Sequence, residues 1–281
     1  IKEILLIITL RSKLGRIIYR KKRKVNVIKS FKINIKKIFS ENGLKLLNQG
    51  SIEIEIISKE NLFFPYPAIV VNYLSNISSA FVHSCGRIYN DRIDKKDNNN
   101  FLVPETGFDI LPDKNLSPFI SFVSGPKPLK NKLITLKFSN YLGQKFNKEF
   151  IFKQIKPYET KFIEILNREE KKFFFDKKGI VSIKHGFKDF YPRFIAGNSN
   201  KQKSIVTLTH SYYDISNQKN KKKHYLVNPN KKEYDDSVLA FPVLNKFKSY
   251  SEVAIYPNFP ETRLNISLEI YQSNGRCVGR I

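Results

Sequence analysis

Residue types that often carry structure or chemistry are scarce in this chain. Its 281 residues include no Met and no Trp, and only two Cys and four His. Cys85 and Cys277 do not occupy equivalent places in the repeat described below, which excludes a disulfide framework repeated in each unit. Because neither Cys-x-x-Cys nor His-x-His spacing occurs, the sequence predicts no metal site and no bound cofactor.

Common catalytic signatures are missing as well. The chain has no Gly-x-Ser-x-Gly elbow, no phosphate-binding glycine loop and no dinucleotide fingerprint. The apolar run Ile4–Leu10 is too short to cross a bilayer as a helix, so no transmembrane segment is predicted. These absences argue against the common hydrolase and nucleotide-binding classes, and they leave the localisation open.

Acidic residues are outnumbered by basic ones. Fifty Lys and Arg stand against 25 Asp and Glu, which gives a formal net charge of +25. The basic residues are densest in two places, the first containing Arg20, Lys21, Lys22, Arg23 and Lys24 and the second containing Lys221, Lys222 and Lys223. The repeat predicts both runs at exposed turns or loops, where they are either solvated or bind a polyanion such as nucleic acid nonspecifically.

What the sequence does contain is an internal repeat. Gly15, Gly143 and Gly275 each follow an alternating apolar run, and they lie 128 and 132 residues apart. Two strand-like segments that end in His-Ser, at His83 and His210, recur 127 residues apart. Self-similarity at a period of about 130 residues predicts tandem units of one fold.

The segments within each unit are short, rich in β-branched and aromatic residues, and separated by Asn, Gly, Pro and Ser. We therefore predict an all-β chain of tandem β-sandwich-like repeats. Residues 1–50 are the C-terminal part of a truncated repeat, 51–178 a complete repeat with its connector, and 179–281 a second repeat truncated at its C-terminal end. The connector around 160–174 is predicted to be a strand followed by a short helix or turn. With the lack of Met, this frame favours a piece of a longer array over a processed mature protein.

The repeated histidines are the sharpest polar feature, and two interpretations of them stay open. A polar site whose imidazole could move protons or take a metal would consist of His210, Tyr212, Tyr213, Asp214 and Arg193. The first repeat has His83, but Arg87 stands where the second has its carboxylate. Because only one repeat carries that carboxylate, a structural histidine at the sheet margin, bonded to a backbone carbonyl, is favoured over an enzyme. The equivalent residues Asn72 and Asn198 are assigned to turns.

Polar loops after these histidines supply the remaining hypothesis. They are predicted at 91–100 and 217–233, and the second is flanked by tyrosines that could stack on sugar rings. Loops at one end of a sandwich are common binding sites. The sequence thus predicts a non-catalytic binding or structural protein, with a glycan or cell-surface polymer as its partner. Polyanion binding through the basic runs, and an enzyme with a His/Asp site, are the alternatives.

Overall fold

A computed structural model describes residues 4–25, 32–45, 49–58, 69–83, 104–111, 113–187, 194–210 and 268–280. Within these residues the fold is all-β, as the strand pattern predicts, with antiparallel pairing in every sheet. The helices in this part of the chain are too short to cross a membrane.

The described strands, in chain order, are β1 (Ile4–Ser12), β2 (Ile17–Val25), β3 (Gly50–Ser58), β4 (Val70–Leu74), β5 (Ser79–His83), β6 (Pro104–Ile110), β7 (Ser117–Val123), β8 (Leu129–Ser139), β9 (Lys145–Ile155), β10 (Thr160–Glu164), β11 (Gly179–His185), β12 (Ile195–Ser199), β13 (Ile205–His210), β14 (Glu269–Tyr271) and β15 (Cys277–Arg280). The helices are α1 (Ile35–Glu41) and α2 (Arg168–Lys171), and a 3₁₀ turn, Lys172–Phe174, follows α2. β10 and α2 confirm the predicted connector, a strand followed by a short helix.

Two four-stranded sheets form a β-sandwich around one apolar core. Their strand orders are β6-β11-β8-β9 and β10-β7-β12-β13. The alternating run Ile134-Leu136-Phe138 on β8 is fully buried, and it shares the core with Ile120 and Phe122 of the opposite sheet. Burying one such side chain is worth about 1.5–3 kcal/mol, so this core is the main source of stability.

The sandwich draws its strands from both sides of residue 179, the start of the second predicted repeat. β6 to β10 come from the first predicted unit and β11 to β13 from the second. A periodic sequence can be divided at any point in its period. The boundaries of a folded unit therefore need not coincide with the boundaries chosen for the sequence repeat. The boundaries at 51–178 and 179–281 stay a prediction.

The three glycine turns that mark the predicted period have the same backbone geometry. In each turn, the N–H of Gly donates to the backbone carbonyl of the residue three positions before it. The N–H of that earlier residue donates to the carbonyl of the residue after Gly. The two residues that flank the turn in this way are Ser12 and Arg16, Asn140 and Gln144, and Gln272 and Arg276. The φ angles of Gly15, Gly143 and Gly275 are +82°, +76° and +81°. Glycine adopts this left-handed conformation without steric cost, which is why it recurs at the bulge of these hairpins. β1 also pairs with β2 and β3 as β8 pairs with β9 and β11.

Asn198 lies within β12, so its assignment to a turn is wrong. Its side chain is 1% exposed, and its amide nitrogen donates to the Asp109 carbonyl at 2.9 Å and to Thr207 Oγ1 at 3.0 Å. Its amide oxygen accepts from the Leu111 N–H at 3.4 Å. Asn198 therefore bonds one sheet of the sandwich to the other. Asn72 is also in a strand, β4, but it is exposed.

Replacing Asn198 by Leu is expected to destabilise the chain by about 2–4 kcal/mol, because the half-buried Asp109 carbonyl and Leu111 N–H lose the bonds that the Asn198 amide makes to them. The matched variant Asn72→Leu changes an exposed strand residue and should stay within about 0.5 kcal/mol of the parent. Urea denaturation followed by circular dichroism measures both. Equal costs at the two positions would contradict the inter-sheet role of Asn198.

The β1–β2 turn docks on the sandwich at the connection between β9 and β10. The Thr160 N–H donates to the Lys13 carbonyl at 2.9 Å, and the Arg11 guanidinium lies 4.0 Å from the centre of the Tyr158 ring. Arg11 also forms an ion pair with Glu53 at 2.7 Å. Burial, and then the Glu53 carboxylate, raise the pKa of Tyr158, so the phenol that carries this contact stays neutral.

Candidate functional site

The basic run Arg20–Lys24 lies inside strand β2, so its predicted placement in a turn or loop is wrong. β2 pairs with β1 from Ile4 opposite Val25 to Leu10 opposite Tyr19. β1 is apolar and central in the order β2-β1-β3. Its backbone hydrogen bonds hold β2 in an extended conformation, which a run of charged residues does not favour by itself. Among the described strands β2 thus lies at the edge of its sheet, and all five cations are exposed on it.

The strand arranges these cations in two rows. Successive side chains alternate between faces, so Arg20, Lys22 and Lys24 lie on one face and Lys21 and Arg23 on the other, with neighbours on one face about 6.7 Å apart. Arg20 forms an ion pair with Glu55 of β3 at 2.9 Å. Both members of that pair are exposed, and such pairs contribute little to stability. The edge therefore presents an extended line of closely spaced positive charge.

Strand β9 occupies the same edge position beside β8 that β2 occupies beside β1. Its alternate residues Phe146, Phe150 and Phe152 pack against the core, and its Lys148 forms an ion pair with Glu170 at 2.7 Å. The edge of this architecture thus does not require five consecutive cations. Lysine on an edge does protect against unwanted strand pairing, but protection needs only isolated charges.

A second polar feature arises where the two His-Ser strands meet. The Nε2 atoms of His83 and His210 lie 2.9 Å apart, with the ring planes at 84° and the ring centroids 4.4 Å apart. His210 is 3% exposed and His83 is partly buried. Five residues before them, Ser78 Oγ donates to the Ile205 carbonyl at 3.0 Å. Both contacts join residues 127 apart, so β5 and β13 run side by side in the same direction.

The histidine contact requires the two Nε2 atoms to differ in protonation. Two N–H groups, or two lone pairs, would repel at 2.9 Å, so one ring donates from Nε2 and the other accepts. The repeat predicts that the two histidines are equivalent, but equivalence does not indicate contact, and the sequence carries no signal for it. His185 has a different environment: it is buried beside the rings of Phe187 and Phe194, and its Nδ1 accepts from the Phe187 N–H at 3.2 Å.

The other predicted site residues lie outside the described ranges; they are Arg87, Arg193, Tyr212, Tyr213, Asp214, Lys221, Lys222 and Lys223. The predicted binding loops at 91–100 and 217–233 lie outside them too. The glycan-binding loops and the His/Asp enzyme site therefore stay predictions. Within the described part of the chain, no three or more His, Cys, Asp or Glu residues are grouped to hold a metal ion.

Comparison with known proteins adds no family: a scan against protein-family models finds no match, and neither does a search of curated proteins.

Proposed function

We propose that this chain is a non-catalytic β-sandwich protein that binds a linear anionic polymer along the basic edge strand β2. The proposal rests on the row Arg20–Lys24, five consecutive exposed cations on the strand that ends this sheet in the described part of the chain. Nothing about the position demands such a row, because the corresponding strand β9 has a different composition.

The extended backbone of β2 suits a polymer with regularly spaced negative groups. Cations at about 6.7 Å intervals on each face can contact successive negative groups of such a polymer while both the strand and the polymer stay extended. Contacts of this kind release condensed counterions, which is the source of affinity in nonspecific polyanion binding. Because backbone charge carries no sequence information, we expect little preference among base or sugar sequences.

The net charge of the whole chain contributes in a different way. A formal charge of +25 attracts any polyanion over a distance of about one Debye length, roughly 8–10 Å at moderate salt, and so raises the rate of encounter. A long-range field does not by itself select a binding surface. The proposal therefore predicts that a bound polymer contacts β2 more closely than other lysine-bearing surfaces.

Lysine footprinting of the intact chain tests this directly. The chain is treated with an amine-acylating reagent alone, with heparin, with a single-stranded oligonucleotide, or with neutral dextran, and each lysine is quantified by mass spectrometry. We expect several-fold protection of Lys21, Lys22 and Lys24 by a polyanion, little change at Lys145 and Lys153 on β9, and no effect of dextran. Uniform protection of all exposed lysines would overturn the proposal, and the two polyanions distinguish a sulfated glycan from a nucleic acid.

A further inference from the structure

We propose that His83 and His210 form a two-histidine site for a divalent transition metal, at the contact between β5 and β13. The two imidazoles come from segments 127 residues apart, and their Nε2 atoms already converge to 2.9 Å. Imidazole nitrogen is the ligand that Zn²⁺, Cu²⁺ and Ni²⁺ share in proteins.

The separation of the nitrogens is close to what a shared metal ion requires. Two nitrogens that each lie about 2.0–2.1 Å from one metal are about 2.9 Å apart at a right angle and about 3.4 Å apart at the tetrahedral angle. The observed 2.9 Å is the length of the hydrogen bond between the rings, so both rings must turn to aim their lone pairs at one ion. Nitrogen sites bind Cu²⁺ more tightly than Ni²⁺ or Zn²⁺, and we expect the same preference here.

Metal binding would replace the hydrogen bond between the rings. The ring that donates from Nε2 must move its proton to Nδ1, after which both Nε2 atoms offer lone pairs to the metal. A neutral pair releases no net proton in this step. Within the described residues, no third His, Cys, Asp or Glu is grouped with the pair.

The strands hold the two rings before any metal arrives. His210 is 3% exposed, and the bond from Ser78 to Ile205 anchors β5 on β13 five residues away. A preorganised pair costs less conformational entropy on binding than two mobile surface histidines. Sequence spacing could not reveal this site, because its ligands belong to different repeats.

Metal titration of the intact chain tests the site. We expect one Cu²⁺ to bind at pH 7.5, more tightly than Ni²⁺ or Zn²⁺, and with at least a tenfold loss in His83→Gln and in His210→Gln. The control His185→Gln removes a buried histidine from elsewhere in the sandwich and should retain the affinity. Absence of binding to the intact chain, or unchanged affinity in both of the first two variants, would overturn the proposal.

Electron paramagnetic resonance of the Cu²⁺-loaded parent chain keeps the test decisive if a variant does not fold. Coupling of the copper to at least two imidazole nitrogens is expected. A spectrum with fewer than two coupled nitrogens would reject the site.

Discussion

Replacing Lys21 and Lys22 by Glu is expected to weaken polyanion binding at least ~10-fold at moderate salt. The two residues are adjacent on β2, and their side chains lie on opposite faces of the strand, so the double variant interrupts both rows of cations. Both are exposed, and their backbone pairing with β1 does not depend on their side chains. The fold should therefore survive, which circular dichroism checks.

The matched control is Lys145→Glu with Lys153→Glu. These lysines are exposed on the edge strand β9, and each double variant lowers the formal net charge of +25 by four. If the β2 row binds the polymer, the β9 variant should lose no more than about threefold, which reflects only the weaker long-range field. Equal losses in the two variants would mean that total charge, rather than β2, determines the affinity.

Gly15→Ala is expected to destabilise the chain by at least ~2 kcal/mol more than Gly143→Ala. Both glycines occupy the same position in turns of one type, and their φ angles are nearly equal. An added Cβ therefore strains the backbone at each position by about 1–2 kcal/mol. Their surroundings differ. A Cβ at Gly143 has no neighbour within 4 Å, whereas a Cβ at Gly15 would lie 2.1 Å from the backbone oxygen of Pro157.

Relieving that clash requires the β1–β2 turn to move away from the sandwich. The bond from Thr160 to Lys13 and the contact of Arg11 with Tyr158 would then weaken, because both depend on the close approach of the turn. Denaturant unfolding measures the free energies, and limited trypsin digestion after Lys13, which is followed by Leu14, reports the separation. If the two variants had the same stability and digestion rate, this docking would be wrong.

The parts of the fold that the sequence predicts are those determined by local pattern. Period-two alternation in Ile134-Leu136-Phe138 indicates a strand with one buried face, and all three side chains are fully buried. The turn glycines are equally readable, because a left-handed residue at a hairpin bulge leaves few alternatives to glycine. The order of the strands in the sheets is not local, and no pattern along the chain predicts it.

The basic run shows why charge is a poor guide to secondary structure. Five consecutive cations suggest a loop, but an edge strand needs backbone partners on one side only, and the apolar strand β1 provides them. The assignment of Asn198 to a turn is wrong for a related reason. Asn is frequent in turns, and its bonds to Asp109 and Leu111 arise from the packing of two sheets that are distant in sequence.

The histidine pair lies further beyond the reach of the sequence. A repeat identifies His83 and His210 as equivalent, and equivalent residues of tandem units are usually one unit apart in space. Here the edge strands β5 and β13 meet, which brings the two rings into contact. That arrangement results from the contact between the β4-β5 and β12-β13 hairpins. The spacing of residues along the chain does not predict this contact.

The salt dependence of oligonucleotide affinity, measured for the parent chain and for the Lys21→Glu/Lys22→Glu variant, tests whether β2 binds the polymer. Binding along β2 predicts a slope of log affinity against log salt near −3 for a single strand, from four or five contacts at about 0.7 each, and a slope smaller in magnitude by about 1.4 in the variant. The β9 control should keep the parental slope. An unchanged slope in the β2 variant, or salt-independent binding by the parent, would contradict the assignment of function to this strand.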